Sequence, residues 1–337
     1  MKPYEEFKIA AIQAAPCYLD VQASLDKACA LIEQAAQTGA VVAGFSETWL
    51  PGYPFFLFSA LSDDWWRVAA RYLAASIEIP GPETDRLCRT ARRAGIDVVI
   101  GVVEREPRSQ GSVYCTVLFI GRDGSLLGRH RKTRATLHER SVWADGDASG
   151  LVVHQRPYGR ISGLCCWEHN TVLPGYALMT QGTQIHFSLW PGRESPTAPP
   201  APAALYPRQL LLSRAFASQA ASYVVCVGGL RRAEFIPPEF RHLHSVDTSG
   251  DSYIIDPRGE VIAGPACGEE ILVADYSAEQ VLAAKVACDV AGHYARPDLF
   301  SFSVHRPASE LGVVNGATAA AAPAGGPPPF GAAEPAQ

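Results

Sequence analysis

Three short polar segments of this 337-residue chain follow apolar runs and hold its most reactive side chains. Their sequences are FSETWLPGYP at 45–54, GRHRKTRATLHER at 128–140 and GLCCWEHNTVLPG at 163–175. Proteins that alternate strands and helices present reactive groups where strands end. The three segments are therefore the first candidates for an active site.

Glu47, in the first segment, closes an apolar run that is typical of a strand (VVAGFSE, 41–47). Trp49, Pro51 and Tyr53 follow it and are expected to shield it from water. Because burial disfavours the charged form, a carboxylate in such a wall has a raised pKa, which suits a general base near neutral pH. The alternative is an ordinary solvated or helix-capping glutamate.

The second segment is basic, and a solvated loop is its most ordinary explanation. Lys132 and Glu139 lie seven positions apart, a spacing that shares one face only if the loop is helical. Otherwise the loop must fold back to aim both side chains at one site. A lysine ammonium in such a site could stabilise charge on a reacting nitrogen or oxygen.

The third segment places adjacent cysteines, Cys165 and Cys166, where a strand enters a turn before a helix. Neighbouring strand residues point to opposite sides, so at most one of the two faces a site. The start of a helix stabilises a thiolate, which favours a nucleophile at this position. A buried structural cysteine is the alternative for either residue.

These residues have two alternative uses. A zinc site built from Cys165, Cys166 and His169 lacks the usual C-x-x-C spacing and a distant fourth pair of ligands. A cysteine–histidine pair using His169 or His186 is physically plausible, although each histidine also fits a hydrogen-bonded core. No glycine-rich phosphate loop is present, so cofactor binding is unsupported, and the ligand spacing leads us to expect no metal.

Apolar runs and helical spacing give an alternating order of elements. Strands are predicted at 7–14, 41–47, 96–103, 112–121, 125–130, 160–166, 184–190, 223–229, 251–256, 260–264 and 270–274. Helices are predicted at 21–38, 83–94, 171–182 and 204–221. Because the strands are apolar on both faces and include hairpins, the sequence indicates an α/β protein whose mixed sheets are covered by helices.

Bulk composition excludes several classes of function. A net charge of −5 without a basic tract argues against nucleic-acid binding, and no apolar run approaches the ~18 residues of a membrane span. The acidic start is unlike a signal peptide, and nine scattered cysteines suggest no disulfide framework, so we expect a cytoplasmic protein with mostly reduced, buried thiols. Residues 1–305 are predicted to form one domain, followed by a disordered Ala/Gly/Pro-rich tail at 306–337.

Taken together, the segments resemble the nitrilase branch of the carbon–nitrogen hydrolase superfamily over residues 7–305. That superfamily uses a glutamate, a lysine and a cysteine in this chain order, which implies catalytic roles for Glu47, Lys132 and Cys166. Glu139 matches its second glutamate. In the matching block the cysteine directly precedes Trp-Glu, which assigns Cys166 rather than Cys165.

Further blocks resemble the same branch, namely HFSLWPG at 186–192, GDSYIIDPRGEVIAGP at 250–265 and GHYARPDLF at 292–300. Two departures affect loop geometry and substrate fit. Ala135 stands where nitrilases commonly have proline, and a turn that resembles Gly-Asp-Gly has Gly146-Asp147-Ala148.

The resemblance implies a four-layer α-β-β-α sandwich that hydrolyses an organic nitrile to a carboxylic acid and ammonia through a cysteine thioimidate and acyl-enzyme, with no cofactor. It also implies a homo-oligomer, either a dimer or a larger spiral. The segments 54–66 and 190–203 are expected to border the pocket. The residues predicted to bind substrate are Tyr53, Trp167, Glu168, His186 and Trp190.

The resemblance leaves other functions open. On the same fold, the protein could be a cyanide hydratase or dihydratase, or an aliphatic amidase. A non-enzymatic interaction protein is a further class, which the intact glutamate–lysine–cysteine set argues against.

Overall fold

The structure is a computed structural model that describes residues 6–192, 194–195 and 208–306. Its strands are β1 (Phe7–Gln13), β2 (Ala40–Gly44), β3 (Asp97–Arg105), β4 (Val113–Ile120), β5 (Leu126–Arg131), β6 (His154–Arg156), β7 (Gly159–Cys165), β8 (Ile185–Trp190), β9 (Glu194–Ser195), β10 (Tyr223–Gly228), β11 (Leu230–Arg231), β12 (Asp247–Ser249), β13 (Tyr253–Ile255), β14 (Val261–Ala263) and β15 (Glu270–Tyr276). Its α-helices are α1 (Val21–Gln37), α2 (Asp63–Ala74), α3 (Pro82–Ala94), α4 (Val172–Met179), α5 (Arg208–Ala220) and α6 (Ala278–Ala287).

Two six-stranded sheets form the centre of the molecule. Their strand orders are β15-β1-β2-β3-β4-β5 and β14-β13-β10-β8-β7-β6. Both sheets are mixed: β1 is parallel to β2 but antiparallel to β15, and β10 is parallel to β8 but antiparallel to β13. Helices α1 and α3 pack on the first sheet, and α4 and α5 pack on the second. The predicted four-layer α-β-β-α sandwich is therefore confirmed.

Alternation along the strands divides the core into layers. In β3, Val99 and Val103 face the second sheet, whereas Val98, Ile100 and Val102 face the helices. Successive strand side chains point to opposite faces, so a strand that is buried on both sides must be apolar throughout. This explains the unbroken apolar runs in the sequence.

Helix α1 shows how the outer layers form. Asp20 caps its first turn by accepting from the backbone nitrogen of Ala23 at 3.0 Å. Leu25, Ala28 and Ile32 then recur at helical spacing and are buried against the first sheet.

The predicted elements agree with the observed ones to within a few residues, but two helices, strand β6 and the third sheet were not predicted. Segment 54–66, for which no helix was predicted, ends in α2, where Ser62 accepts from the nitrogen of Trp65 as the N-cap. Helix α6, strand β6 and the three-stranded sheet β11-β12-β9 were also not predicted. Of the predicted helix at 204–221, positions 204–207 lie outside the described residues.

The predicted tail at 306–337 lies outside the described residues from position 307 onward. Arg306 itself donates to the carbonyl oxygen of Leu151 at 3.0 Å, so this residue of the predicted tail contacts the domain. The single domain at 1–305 stays a prediction.

All nine cysteines are free thiols, and five of them are buried, as expected for reduced cysteines. Among the described residues, no helix combines the length and the apolar character that crossing a bilayer requires.

Candidate active site

The candidate residues meet at one edge of the sandwich because each of the three segments that carry them follows a strand. Glu47 lies beyond β2 and Lys132 directly after β5, both in the first sheet. Glu139 lies in a 3-10 helix, Leu137–Ser141, that continues from the lysine loop. Cys166 follows β7 of the second sheet and begins another 3-10 helix, Cys166–Asn170. The two facing sheets thus bring together residues from distant parts of the chain.

The loop that carries Glu47 runs along β3 at very short range. Phe45 and Leu50 donate to the carbonyl oxygens of Val99 and Gly101, at 2.8 and 3.2 Å. A methyl group at Gly101 would lie only 2.3 Å from the carbonyl oxygen of Ser46. Only glycine therefore allows the loop to hold its position over β3.

Backbone strain marks all three segments. Thr48, Leu137 and Cys166 have φ angles of 43°, 45° and 47°, in the left-handed region that non-glycine residues seldom adopt. Such residues cost about 1–3 kcal/mol each and cluster at functional sites. Cys166 itself forms the sharp turn that separates its side chain from that of Cys165.

Lys132 is buried between two carboxylates. Its Nζ donates to Oε1 of Glu47 at 2.7 Å and to Oε2 of Glu139 at 2.8 Å, so the loop folds back rather than forming one long helix. Burial alone would lower the pKa of Lys132, but the charges of Glu139 and Glu47 hold that pKa well above its usual value. The ammonium is therefore a fixed positive charge. An ammonium has three donors, so one remains available.

Glu139 is fully engaged by its surroundings. Its Oε2 also accepts from the backbone nitrogen of Thr136 at 2.7 Å, and its Oε1 accepts from the hydroxyl of Tyr53 at 2.8 Å. With both oxygens occupied, Glu139 fixes the position of Lys132.

Glu47 has one occupied and one unoccupied oxygen. Oε1 accepts from Lys132 and, at 3.3 Å, from the thiol of Cys115, whereas Oε2 is buried without a hydrogen-bond partner among the described residues. Burial raises the pKa of Glu47 to about 7, with Lys132 lowering it and Glu139 raising it. The expected raised pKa is confirmed, and the group is poised to exchange a proton near neutral pH.

Cys166 lines a cavity, but it is not a resting thiolate. Burial raises the pKa of the Cys166 thiol well above its usual value, the charge of Glu47 raises it further, and Lys132 lowers it. The expectation that a helix start would stabilise the thiolate is wrong, because desolvation and a neighbouring carboxylate oppose ionisation. A base must remove the proton when the sulfur reacts.

Cys165 points the other way, as predicted for adjacent strand residues. It lies in the core between the sheets, with its sulfur 3.6 Å from that of Cys115. Burial raises its pKa to about 11, which keeps it an inert thiol at neutral pH.

Glu168 is not at the cavity wall, which contradicts the prediction that it contacts substrate. Its carboxylate accepts from Nε2 of His130, from the nitrogen and hydroxyl of Thr133, and from the nitrogen of Cys165, all at 2.8–3.0 Å. Burial would raise the pKa of Glu168, but His130 and the backbone donors lower it to about 2. Glu168 therefore joins the lysine segment to the nucleophile turn.

His186 is also absent from the cavity wall, because it lies beneath the nucleophile turn. Nδ1 of His169 donates to the carbonyl oxygen of Cys166 at 2.8 Å, and its Nε2 lies 2.9 Å from Nε2 of His186. His186 in turn bonds Ser162 through Nδ1 at 2.8 Å. Burial lowers the pKa of both histidines, so the pair is neutral. This is the hydrogen-bonded core alternative, and it leaves neither imidazole free to act as a base for Cys166.

The cavity beside Cys166 has a volume of about 190 Å³. The predicted substrate-binding residues Tyr53, Trp167 and Trp190 line it, as do residues of the segments 54–66 and 190–203. Those two segments contribute Leu57, Phe58, Pro191 and Gly192, and segment 128–140 contributes Thr136, Leu137 and His138 beside Glu139. Arg208 and Gln209 also line the cavity, and nothing in the sequence marked them.

One group of described residues has the spacing of metal ligands. Ligand atoms of Glu47, Cys115 and Cys165 all lie within 4.8 Å of one another. The ammonium of Lys132 already lies 2.7 Å from Glu47 and would repel a second cation there, and burial keeps both thiols protonated. The zinc set considered from the sequence does not recur, because Cys165 and Cys166 face opposite sides.

The sequence model of one protein family, carbon–nitrogen hydrolase, matches residues 8–285. The chain therefore belongs to the carbon–nitrogen hydrolase family. Within that superfamily it lies in the nitrilase branch, as its similar proteins indicate. It is 49% identical over 308 residues to Nitrilase 2 of an unknown prokaryotic organism, covering 91% of this chain and 95% of that protein. It is 34% identical over 313 residues to an aliphatic nitrilase of Rhodococcus rhodochrous, covering 89% and 83%.

Solved structures support the fold. Saccharomyces cerevisiae Nit3, described as a member of branch 10 of the nitrilase superfamily, matches with a TM-score of 0.69 at 20% identity, covering 86% of this chain and 97% of that chain. The C. elegans NitFhit protein matches with a TM-score of 0.71 at 18% identity, covering 91% and 69%.

The position of Glu168 predicts a stability effect. Glu168→Gln should lower the free energy of unfolding at pH 7 by about 3 kcal/mol. A carboxylate whose pKa is lower in the folded than in the unfolded state stabilises the fold at every pH above its unfolded-state pKa. The difference in stability between wild type and Glu168→Gln should therefore begin to narrow below about pH 4.5, the pKa of the unfolded state, and disappear as the pH falls through about 2.

Urea unfolding of both proteins over this pH range measures the effect. Glu33→Gln is the matched control, because this exposed carboxylate pairs only at the surface with Arg93 and should change stability by less than about 0.5 kcal/mol. Equal stability of Glu168→Gln and wild type at pH 7 would contradict the assignment.

Proposed function

We propose that the protein is a nitrilase that hydrolyses an organic nitrile to a carboxylic acid and ammonia. The observation that carries this proposal is the buried Lys132, held by two carboxylates so that Oε2 of Glu47 stays without a partner near Cys166. The nitrilase names of proteins up to 49% identical support the choice of nitrile as the substrate.

In the first step, Glu47 removes the proton of the Cys166 thiol as the sulfur attacks the nitrile carbon. A carbon–sulfur bond forms, one π-bond of the nitrile breaks, and its nitrogen takes up a proton to give a thioimidate. The remaining donor of Lys132 stabilises the charge that develops on that nitrogen. Electrostatic stabilisation of this kind is strong because Lys132 is shielded from water.

Water then adds to the thioimidate carbon, and ammonia leaves to give a thioester. A second water, deprotonated by Glu47, releases the carboxylic acid and restores the thiol. Splitting the hydrolysis across a covalent intermediate lowers each barrier without a metal or cofactor. Glu139 acts through Lys132, whose position it fixes.

Two further predictions, on oligomeric state and on cellular location, accompany this proposal. We propose a homo-oligomer, a dimer or larger spiral, which is supported by exposed apolar side chains of α4 and α5: Val172, Leu173 and Leu211. A cytoplasmic location stays a prediction.

The cavity beside Cys166, with the ion-paired Lys132 next to it, favours an enzyme over an interaction protein. Cyanide hydration and amide hydrolysis remain as alternative reactions.

Product analysis separates these reactions. The wild type should release acid and ammonia from organic nitriles and act less well on the corresponding amides and on cyanide. Cys166→Ala should lose activity by about 10⁴-fold or more, and Glu47→Gln by about 10²- to 10⁴-fold. Cys165→Ala is the matched control, because its inward-facing thiol should leave most activity intact. If Cys165→Ala were inactive and Cys166→Ala active, the assignment of the nucleophile would be wrong. If amides were the better substrates, the reaction would be amide hydrolysis.

The pKa of Glu47 sets the pH dependence. With a neutral nitrile, kcat/KM should fall on the acid side with an apparent pKa near 7, because protonated Glu47 cannot accept the thiol proton. Initial rates measured between about pH 5 and 9 give this value. A flat profile down to about pH 5 would show that Glu47 is not the base.

A further inference from the structure

Arg208 is the first residue of α5 and lies in the cavity wall with Cys166. Its guanidinium lies over the ring of Trp167, 5.0 Å from the centroid. Its Nε is buried and has no hydrogen-bond partner among the residues that the structure describes. A guanidinium carries five N–H donors and is always charged, so a donor that no protein group uses at a cavity wall is available to a ligand.

The other charges of the cavity wall are already compensated. Glu139 accepts from Lys132, Tyr53 and Thr136, and Lys132 is shared with Glu47. Arg208, in contrast, forms no ion pair with any residue that the structure describes. At the end of the cavity near Cys166 the charges are therefore compensated, whereas at Arg208 a positive charge is not.

The start of α5 strengthens this positive potential. The first turn contains no acidic residue, and the helix runs for 13 residues. A helix N-terminus carries a partial positive charge, which acidic side chains usually balance and which an arginine adds to. Two independent sources of positive potential thus meet beside the same cavity.

We propose that the preferred substrates are nitriles that carry a carboxylate on the part of the molecule remote from the cyano group, and that Arg208 binds this carboxylate. The inference rests on the proposed nitrilase function. With the cyano carbon at Cys166, the carboxylate points away from Glu47 and Glu139 and towards Arg208. Aromatic walls formed by Tyr53, Trp167 and Trp190 suit an apolar spacer between the two groups.

The test compares ω-cyano carboxylates with neutral ω-hydroxy nitriles of equal chain length. The wild type should favour the carboxylates in kcat/KM, and Arg208→Gln should reduce this preference by about 10- to 100-fold, mainly through KM. Arg208→Lys should retain part of the preference. Arg214→Gln is the matched control, because Arg214 lies on the same helix but donates to the carbonyl oxygen of Gly259.

Four results would count against one of the two proposals. An unchanged preference in Arg208→Gln, or a wild type that favours the neutral nitriles, would overturn the proposal for Arg208. An equal loss in Arg214→Gln would also overturn it, because the effect would then belong to the helix. A wild type that hydrolyses neither series, while remaining folded, would instead refute the proposed function.

A second inference comes from Cys115, which contacts both members of the buried ion pair. Its carbonyl oxygen accepts from the backbone nitrogen of Lys132 at 2.7 Å, and its sulfur lies 3.3 Å from Oε1 of Glu47. Burial raises the pKa of this thiol well above its usual value, so the sulfur keeps its proton. The carboxylate oxygen of Glu47 is a nearer and stronger acceptor for that proton than the sulfur of Cys165 at 3.6 Å.

We infer that Cys115 is a positioning residue that sets the rotation of the Glu47 carboxylate. Cys115 and Lys132 both donate to Oε1, which leaves Oε2 as the oxygen free to take the proton of Cys166. Besides these donors, the ionisable groups acting on Glu47 include Glu139. Without the thiol, the carboxylate has one fewer restraint on its rotation.

Three variants test this role. Cys115→Ala should lower kcat by about 3- to 10-fold and move the acid limb of kcat/KM to higher pH, because a donor to the ionised carboxylate is lost. Cys115→Ser keeps a donor of similar size and should restore both values towards wild type. Cys165→Ala, which removes the neighbouring sulfur without touching Glu47, should leave the limb in place. The inference would be overturned if folded Cys115→Ala had the kcat and the acid limb of kcat/KM of the wild type. It would also be overturned if Cys165→Ala shifted that limb as far as Cys115→Ala does.

Discussion

The structure depends on keeping an ammonium out of water between two carboxylates. Burying charges is costly unless their geometry is close to ideal, and removing one partner of such a group typically costs about 3–5 kcal/mol. At Lys132 the contacts are 2.7 and 2.8 Å, and the carboxylates come from two different loops. The strained backbone at Thr48 and Leu137 and the close approach at Gly101 are the local conditions under which those loops reach the lysine.

The same burial determines the chemistry on both sides of the ion pair. It raises the pKa of Glu47 into the neutral range and keeps Cys166 protonated, so a weakly stabilised carboxylate base faces a neutral thiol. Proton transfer between them then moves the negative charge from the carboxylate to the sulfur, within the field of a fixed ammonium. In water each group would have its ordinary pKa, and the thiol would gain little from the carboxylate. Desolvation and placement therefore act together.

The sequence was most informative where chemistry follows a strand. The ends of β2, β5 and β7 were recognisable from apolar runs, and the order of Glu47, Lys132 and Cys166 carried the resemblance. It was least informative about direction within tight turns. Glu168 is two positions from Cys166, but a 3-10 turn returns its carboxylate to His130, and His186 was misplaced because a strand pattern does not say which face borders a cavity. Arg208 could not be found, because its role depends on where α5 begins in space.

Gly101 has a consequence for anyone who wishes to alter this enzyme. It carries no functional group and lies on the strand next to the Glu47 loop, so a library chosen by inspecting the cavity wall would leave it out or treat it as neutral. Any larger side chain there would collide with the backbone of the Glu47 loop and so displace the carboxylate, although no catalytic side chain is replaced. A variant library for this site should therefore keep glycine at position 101 as strictly as it keeps the catalytic residues.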